Sequence, residues 1–130
     1  MKLRILRQSI RLRVTQAEVA ELGQGRPVSA ELTTAAGAAP LIAYQVEPSA
    51  EVTTLGLVAR PGNLTVQVSR ALAEDLARTD RVTIEETIVT GPDHAVSVCL
   101  EKDFQCLKPR QGGQDDDTFP HPEAAQDVPC

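Results

Sequence analysis

Residues 2–14, KLRILRQSIRLRV, alternate cationic and aliphatic side chains on both sides of Arg7-Gln8. Alternation with period two is the pattern of a half-buried β-strand. With Arg7 and Gln8 as a two-residue turn, Ile5 faces Ile10 and Leu3 faces Leu12 on the side expected to be buried. On the opposite side Arg4 faces Arg11 and Lys2 faces Arg13. The register is self-consistent, although Arg-Gln is a poor turn pair where Asn-Gly is the favoured one.

The segment after the hairpin reads as a helix. Thr15-Gln16-Ala17-Glu18 matches a capping box, a hydroxyl residue with Glu three positions later. A short helix is expected over 16–22, ended by Gly23 and Gly25. Short runs rich in Val, Leu, Ile and Thr predict strands over 28–34, 40–47, 52–59 and 63–68, with turns at Ala36-Gly37, Pro48-Ser49 and Pro61-Gly62-Asn63. Ser69 looks like the cap of a second helix over 70–78, with Leu72 and Leu76 on one face. Two further strands, 82–90 and 95–101, meet around Gly91-Pro92-Asp93. No long helix separates consecutive strands, which disfavours a doubly wound parallel sheet. The expected fold is α+β: a mostly antiparallel curled sheet, half-barrel-like, with two short helices in the order ββαββββαββ and a C-terminal tail. Residues 1–108 form one domain, and 109–130 form an acidic, proline-containing tail that docks on it. The aliphatic faces predict burial of Leu3, Ile5, Ile10, Leu12, Val14, Val66, Val68, Leu72, Leu76, Val98 and Leu100.

Composition narrows the functions. The chain has 130 residues, enough for one domain, with 42% hydrophobic and 24% charged residues. One Tyr, two Phe and no Trp leave no aromatic platform for stacking bases, and the net charge of −5 disfavours nucleic acid as a partner. No stretch approaches the roughly 18 apolar residues of a membrane span. The basic N-terminus lacks the apolar block of a secretory signal, and three cysteines do not suggest a disulfide framework. A cytoplasmic protein with no membrane partner is the expectation.

The charges are segregated along the chain. Residues 1–13 carry Lys2, Arg4, Arg7, Arg11 and Arg13 and no acid, whereas 111–130 carry Asp115, Asp116, Asp117, Glu123 and Asp127 and no Lys or Arg. Like charges opposite each other on one sheet face repel, so Arg4/Arg11 and Lys2/Arg13 call for compensation. The side chains either extend into water or pair with Glu31, Glu47, Glu85 or Glu101 on neighbouring strands. Alternatively, they bind a small anion or a partner protein. Lys2, Arg4, Arg11, Arg13 and Lys102 are the candidate anion- or partner-binding residues, guanidinium groups being suited to it by their fork geometry.

Two chemical alternatives stand beside this one. Cys106, His121 and Cys130 are soft and borderline ligands that suit zinc, with Asp115 or Asp117 available as a fourth, but the close paired spacing of a zinc motif is missing. A phosphate-processing enzyme on the basic sheet would need acids to hold Mg²⁺. The first strand supplies none, and adjacent Glu85 and Glu86 point to opposite faces. There is no glycine-rich phosphate loop and no His-Glu-x-x-His, so no catalytic residues are assigned. Cys99 lies in a strand and is expected to be a small core residue.

Three segments resemble a family of small uncharacterised bacterial proteins: Met1-Lys2-Leu3-Arg4-Ile5 with Ser9 through Val19, Glu101-Lys102-Asp103-Phe104-Gln105-Cys106-Leu107, and Asp117-Thr118-Phe119-Pro120-His121-Pro122. That family is similar in its N-terminal basic hairpin, its E-K-D-F-x-C-L motif and its acidic tail with F-P-N-P. This chain departs from it at Arg7-Gln8 and at His121, where the family commonly has Asn. The resemblance implies a cytoplasmic bacterial protein and supplies no activity.

Overall fold

In the computed structural model, residues 1–104 together with 117, 119 and 120 are described. Eight strands and two helices follow in the order β1 (Lys2–Leu6), β2 (Ser9–Val14), α1 (Gln16–Gly23), β3 (Val28–Leu32), β4 (Ile42–Ser49), β5 (Leu55–Arg60), β6 (Asn63–Ser69), α2 (Arg70–Arg78), β7 (Thr83–Gly91) and β8 (His94–Lys102). The first hairpin has the register that alternation dictates: Lys2 opposite Arg13, Leu3 opposite Leu12, Arg4 opposite Arg11 and Ile5 opposite Ile10. Arg7 makes the turn at φ 52°, left-handed backbone that a non-glycine residue seldom adopts.

The strands form two four-stranded sheets, in the orders β1-β2-β8-β7 and β3-β4-β6-β5, where a single curled sheet was expected. The outer ladders of each sheet are antiparallel, while the central ones, β2 with β8 and β4 with β6, are parallel. These parallel pairs join strands far apart in sequence, which hairpin reasoning cannot reach.

The two sheets are built alike. Let β1-β2-α1-β3-β4 be one half and β5-β6-α2-β7-β8 the other. Replacing each element by its counterpart turns β1-β2-β8-β7 into β5-β6-β4-β3, the second sheet read backwards. Leu3, Leu12, Val14 and Leu22 stand at the same spacing as Leu57, Val66, Val68 and Leu76. The capping hydroxyls of Thr15 and Ser69 correspond too, accepting from the amides of Glu18 and Leu72. The molecule is therefore an internal repeat with pseudo-twofold order, and each sheet takes one hairpin from each half.

The inner faces of both sheets and the two helices share one aliphatic core, with Leu12, Leu22, Val46, Val66, Leu76, Ile84 and Leu100 nearly inaccessible. The helices cross at Gly23, where a Cβ would stand 2.5 Å from the Cβ of Ala77, its counterpart in the other half. That contact explains the glycine. It is the last residue of α1, while the left-handed position after the helix is taken by Gly25, at φ 82°.

Two expectations are corrected, and a third, the burial of Cys99, holds with its face now assigned. Pro48 and Ser49 lie inside β4, not in a turn. The β3 ladder ends at Val46, so Pro48 has a strand neighbour on one side only, where a missing N–H is tolerated. Ile5 is 62% exposed, because it sits at the far end of an edge strand from the helices, while Leu3 and Leu72 are half-buried. Cys99 is buried but outside the core cluster, on the opposite face of β8 from Val98 and Leu100. No described helix is long and apolar enough to cross a membrane.

Candidate anion-binding site

Strand parity arranges the outer face of the first sheet in rows. Lys2, Arg13, Glu101 and Thr83 form one row across β1, β2, β8 and β7; Arg4, Arg11, Cys99 and Glu85 form the next. The first row is neutralised. Arg13 Nε donates to Glu101 Oε1 at 2.7 Å, and Lys2 Nζ lies 2.8 Å from the carboxylate of Asp103, which is almost fully buried. Lys2 therefore offsets a buried charge that would be costly alone.

The second row is not neutralised. Arg11 Nε is 3.8 Å from the Glu101 oxygen that Arg13 already occupies. Arg4 forms no ion pair among the described residues. Arg4 and Arg11, with Leu6 and Ser9, line a shallow depression of about 150 Å³. A larger depression, of about 390 Å³, lies between Gly23–Gly25 and the start of α2. It is lined by one cation, Arg70, and one acid, Glu74, so it carries no excess of positive charge.

Beneath the cations, Cys99 Sγ lies 3.2 Å from Thr83 Oγ1 and 3.7 Å from Glu101 Oε2. Burial pushes its thiol pKa up, with the nearby Glu101 and Glu85 adding to the shift and Thr83 and Arg11 opposing it. Of the acids expected to answer the hairpin, Glu101 does so; Glu85 lies across Cys99 from Arg11.

The structure separates Lys102 from the other four candidates. It pairs with Val14, so parity turns it to the inner face, where it is 9% exposed. Its Nζ donates to the Thr79 carbonyl at 3.0 Å and stands 4.9 Å from the centre of the Phe119 ring. Burial lowers its pKa, and Asp80 opposes that shift. Phe119 meets Phe104 edge-on at 5.8 Å, and its N–H donates to the Asp103 carbonyl at 2.6 Å. Asp117 meets α1, its carbonyl accepting from the Gln16 N–H at 3.1 Å and its carboxylate from the Ala17 N–H at 3.4 Å. Asp117 thus sits at the positive end of the helix, not beside Arg4, Arg11 or Arg13. Asp115 and Asp116 lie outside the described residues, as do the proposed metal ligands Cys106, His121 and Cys130.

Two things escaped the sequence reading. The repeat was missed, although its trace is present in Val14-Thr15 with Leu22 and in Val68-Ser69 with Leu76. The pairing of Lys2 with Asp103 was missed because it depends on β8 lying beside β2.

Fold and site define a small, internally repeated α+β domain with a cationic hairpin at the edge of one sheet. Residues 1–123 match the family of unknown function DUF7009, and the chain belongs to that family, in keeping with the resemblance to uncharacterised proteins. No curated protein and no solved structure matches it.

Proposed function

We propose that this protein is a non-catalytic binding module that captures an anionic group, on a small molecule or a partner protein, at Arg4 and Arg11. The observation that carries this reading is the comparison the repeat supplies. At the positions equivalent to Lys2, Arg4, Arg11 and Arg13, the second hairpin carries Gly56, Val58, Thr65 and Gln67. The same backbone is thus built without the cations, and two of them, Arg4 and Arg11, stand opposite each other where like charges repel. Guanidinium pairs of this kind recognise carboxylate and phosphate through bidentate hydrogen bonds. We infer a bacterial, cytoplasmic setting from the resemblance of the hairpin and of Glu101 through Leu107.

The test is a titration with inorganic phosphate and, separately, with a glutamate peptide, followed by amide NMR. Shifts should centre on residues 4–11 and weaken with added salt. Arg4→Val, which copies Val58, should abolish them without lowering the melting temperature. Equal shifts in Arg4→Val and wild type would refute the assignment.

A further inference from the structure

The two seams between the sheets are equivalent by the repeat, yet they differ. At one, β5 and β7 pack together, and the Glu86 carboxylate accepts from the Leu55 N–H at 2.7 Å. At the other, β1 and β3 do not pack on each other in this way. No strand pairs with the outer edge of β1 among the described residues.

Parity says which groups that edge offers. The carbonyls of Gln8 and Val14 accept from Ser97 and Asp103, so the even-numbered residues of β2 bond toward β8 and the odd-numbered ones toward β1. Arg4 and Lys2, opposite Arg11 and Arg13, therefore spend their backbone groups on β2. Leu3 and Ile5 turn theirs outward. The Met1 carbonyl, next in this outward series, accepts from the Tyr44 hydroxyl at 3.5 Å. Aliphatic side chains are left uncovered on both edge strands of this seam: Ile5 of β1 is 62% exposed and Leu32 of β3 is 54% exposed.

We propose that the outer edge of β1 pairs with an extended acidic segment of a partner protein, which adds a strand beside β1. This rests on the binding reading above and specifies the class of partner. An added strand presents side chains alternately to the two faces. Its inward residues would cover Ile5 and Leu32, and its outward residues would lie beside Lys2 and Arg4. Acids at those outward positions match the charge, since β3 offers Ser29 and Glu31 on that face, a single acid against the cations of β1 and β2. A second copy of this chain fits less well, because pairing β1 with β1 would set Lys2 and Arg4 against their own kind.

The experiment uses the full chain and a ten-residue peptide alternating glutamate with valine, capped at both ends. Binding should slow exchange of the Leu3 and Ile5 amides by about tenfold or more while leaving Lys2 and Arg4, already bonded to β2, unchanged. Arg4→Glu, at an exposed position, should weaken binding by about tenfold or more. A glutamate–proline peptide of the same charge, which cannot form a strand ladder, should not protect the edge. Should this second peptide bind as well as the first, or should the first bind without protecting Leu3 and Ile5, the added strand is overturned while the anion reading stands. If neither peptide nor phosphate binds, both readings fall. A dimer that protects Leu3 and Ile5 without peptide would replace the partner with a second copy and overturn the assignment.

Discussion

The two hairpins that follow one plan, β1-β2 and β5-β6, differ chiefly on the face that the core does not use. Inside, Leu12 and Val66 both sit in the centre of the aliphatic cluster, inaccessible to water. Outside, Arg11 next to Cys99 in one sheet corresponds to Thr65 next to Gln45 in the other, and Gln45 Nε2 donates to Thr65 Oγ1 at 3.0 Å. One sheet closes this position with a neutral hydrogen bond; the other places a guanidinium there, beside the Cys99 thiol. The turns differ as well. Arg7-Gln8 places a non-glycine residue at φ 52°, whereas Pro61-Gly62 gives the left-handed position to glycine, at φ 75°.

The largest test of this correspondence lies in the core. Leu12→Ala should cost about 2–5 kcal/mol in urea unfolding, and Val66→Ala should also destabilise, by less because fewer methyl groups are removed. A large loss at one position and none at its counterpart would break the equivalence of the halves. Next is the helix crossing. Gly23→Ala should cost about 1–3 kcal/mol by overpacking against Ala77, and adding Ala77→Gly should recover part of that loss, since the exchange restores the space. If the second change only adds to the damage, the helices do not meet as described.

The third prediction concerns Phe119, which lies outside both halves. Phe119→Ala should lower stability by about 1–2 kcal/mol, the scale of a half-buried aromatic side chain. Unchanged melting would leave the Phe119 contacts without weight. The smallest effect is a gain: Arg7→Asn should stabilise by about 0.5–1 kcal/mol, because Asn tolerates the left-handed region better. Gly62→Ala, the mirror experiment, should destabilise, since alanine would meet both a positive φ and the Leu41 carbonyl at 3.1 Å.

How far the sequence could be read follows from the range of each interaction. The β1-β2 register was legible because alternation on both sides of a two-residue turn is local. The capping boundaries at Thr15 and Ser69 were legible because a cap is a contact over three residues. Lys102 was misplaced because its face depends on its register against Val14, far away in the chain. The split into two sheets was hidden for the same reason. Pro48 misled because a proline signals a turn unless its strand lacks a neighbour on that side. The candidate site was half legible: the cations were visible as a run, but which acids neutralise which of them depended on β8.

The exchange of hairpins between halves has a consequence during synthesis. Strand β2 is complete at Val14, but its parallel partner in the finished sheet begins only at His94. At the usual rate of translation, roughly 4–16 s separate the two. For that time the first hairpin must wait with one edge of β2 unsatisfied and its aliphatic face uncovered. Strands left open in this way invite pairing with other nascent chains. Two copies of the hairpin brought edge to edge would set Lys2, Arg4, Arg11 and Arg13 against their own kind, and like charges so placed repel. Removing them should therefore show first in the yield of soluble protein on rapid expression, before any change in the stability of the finished fold.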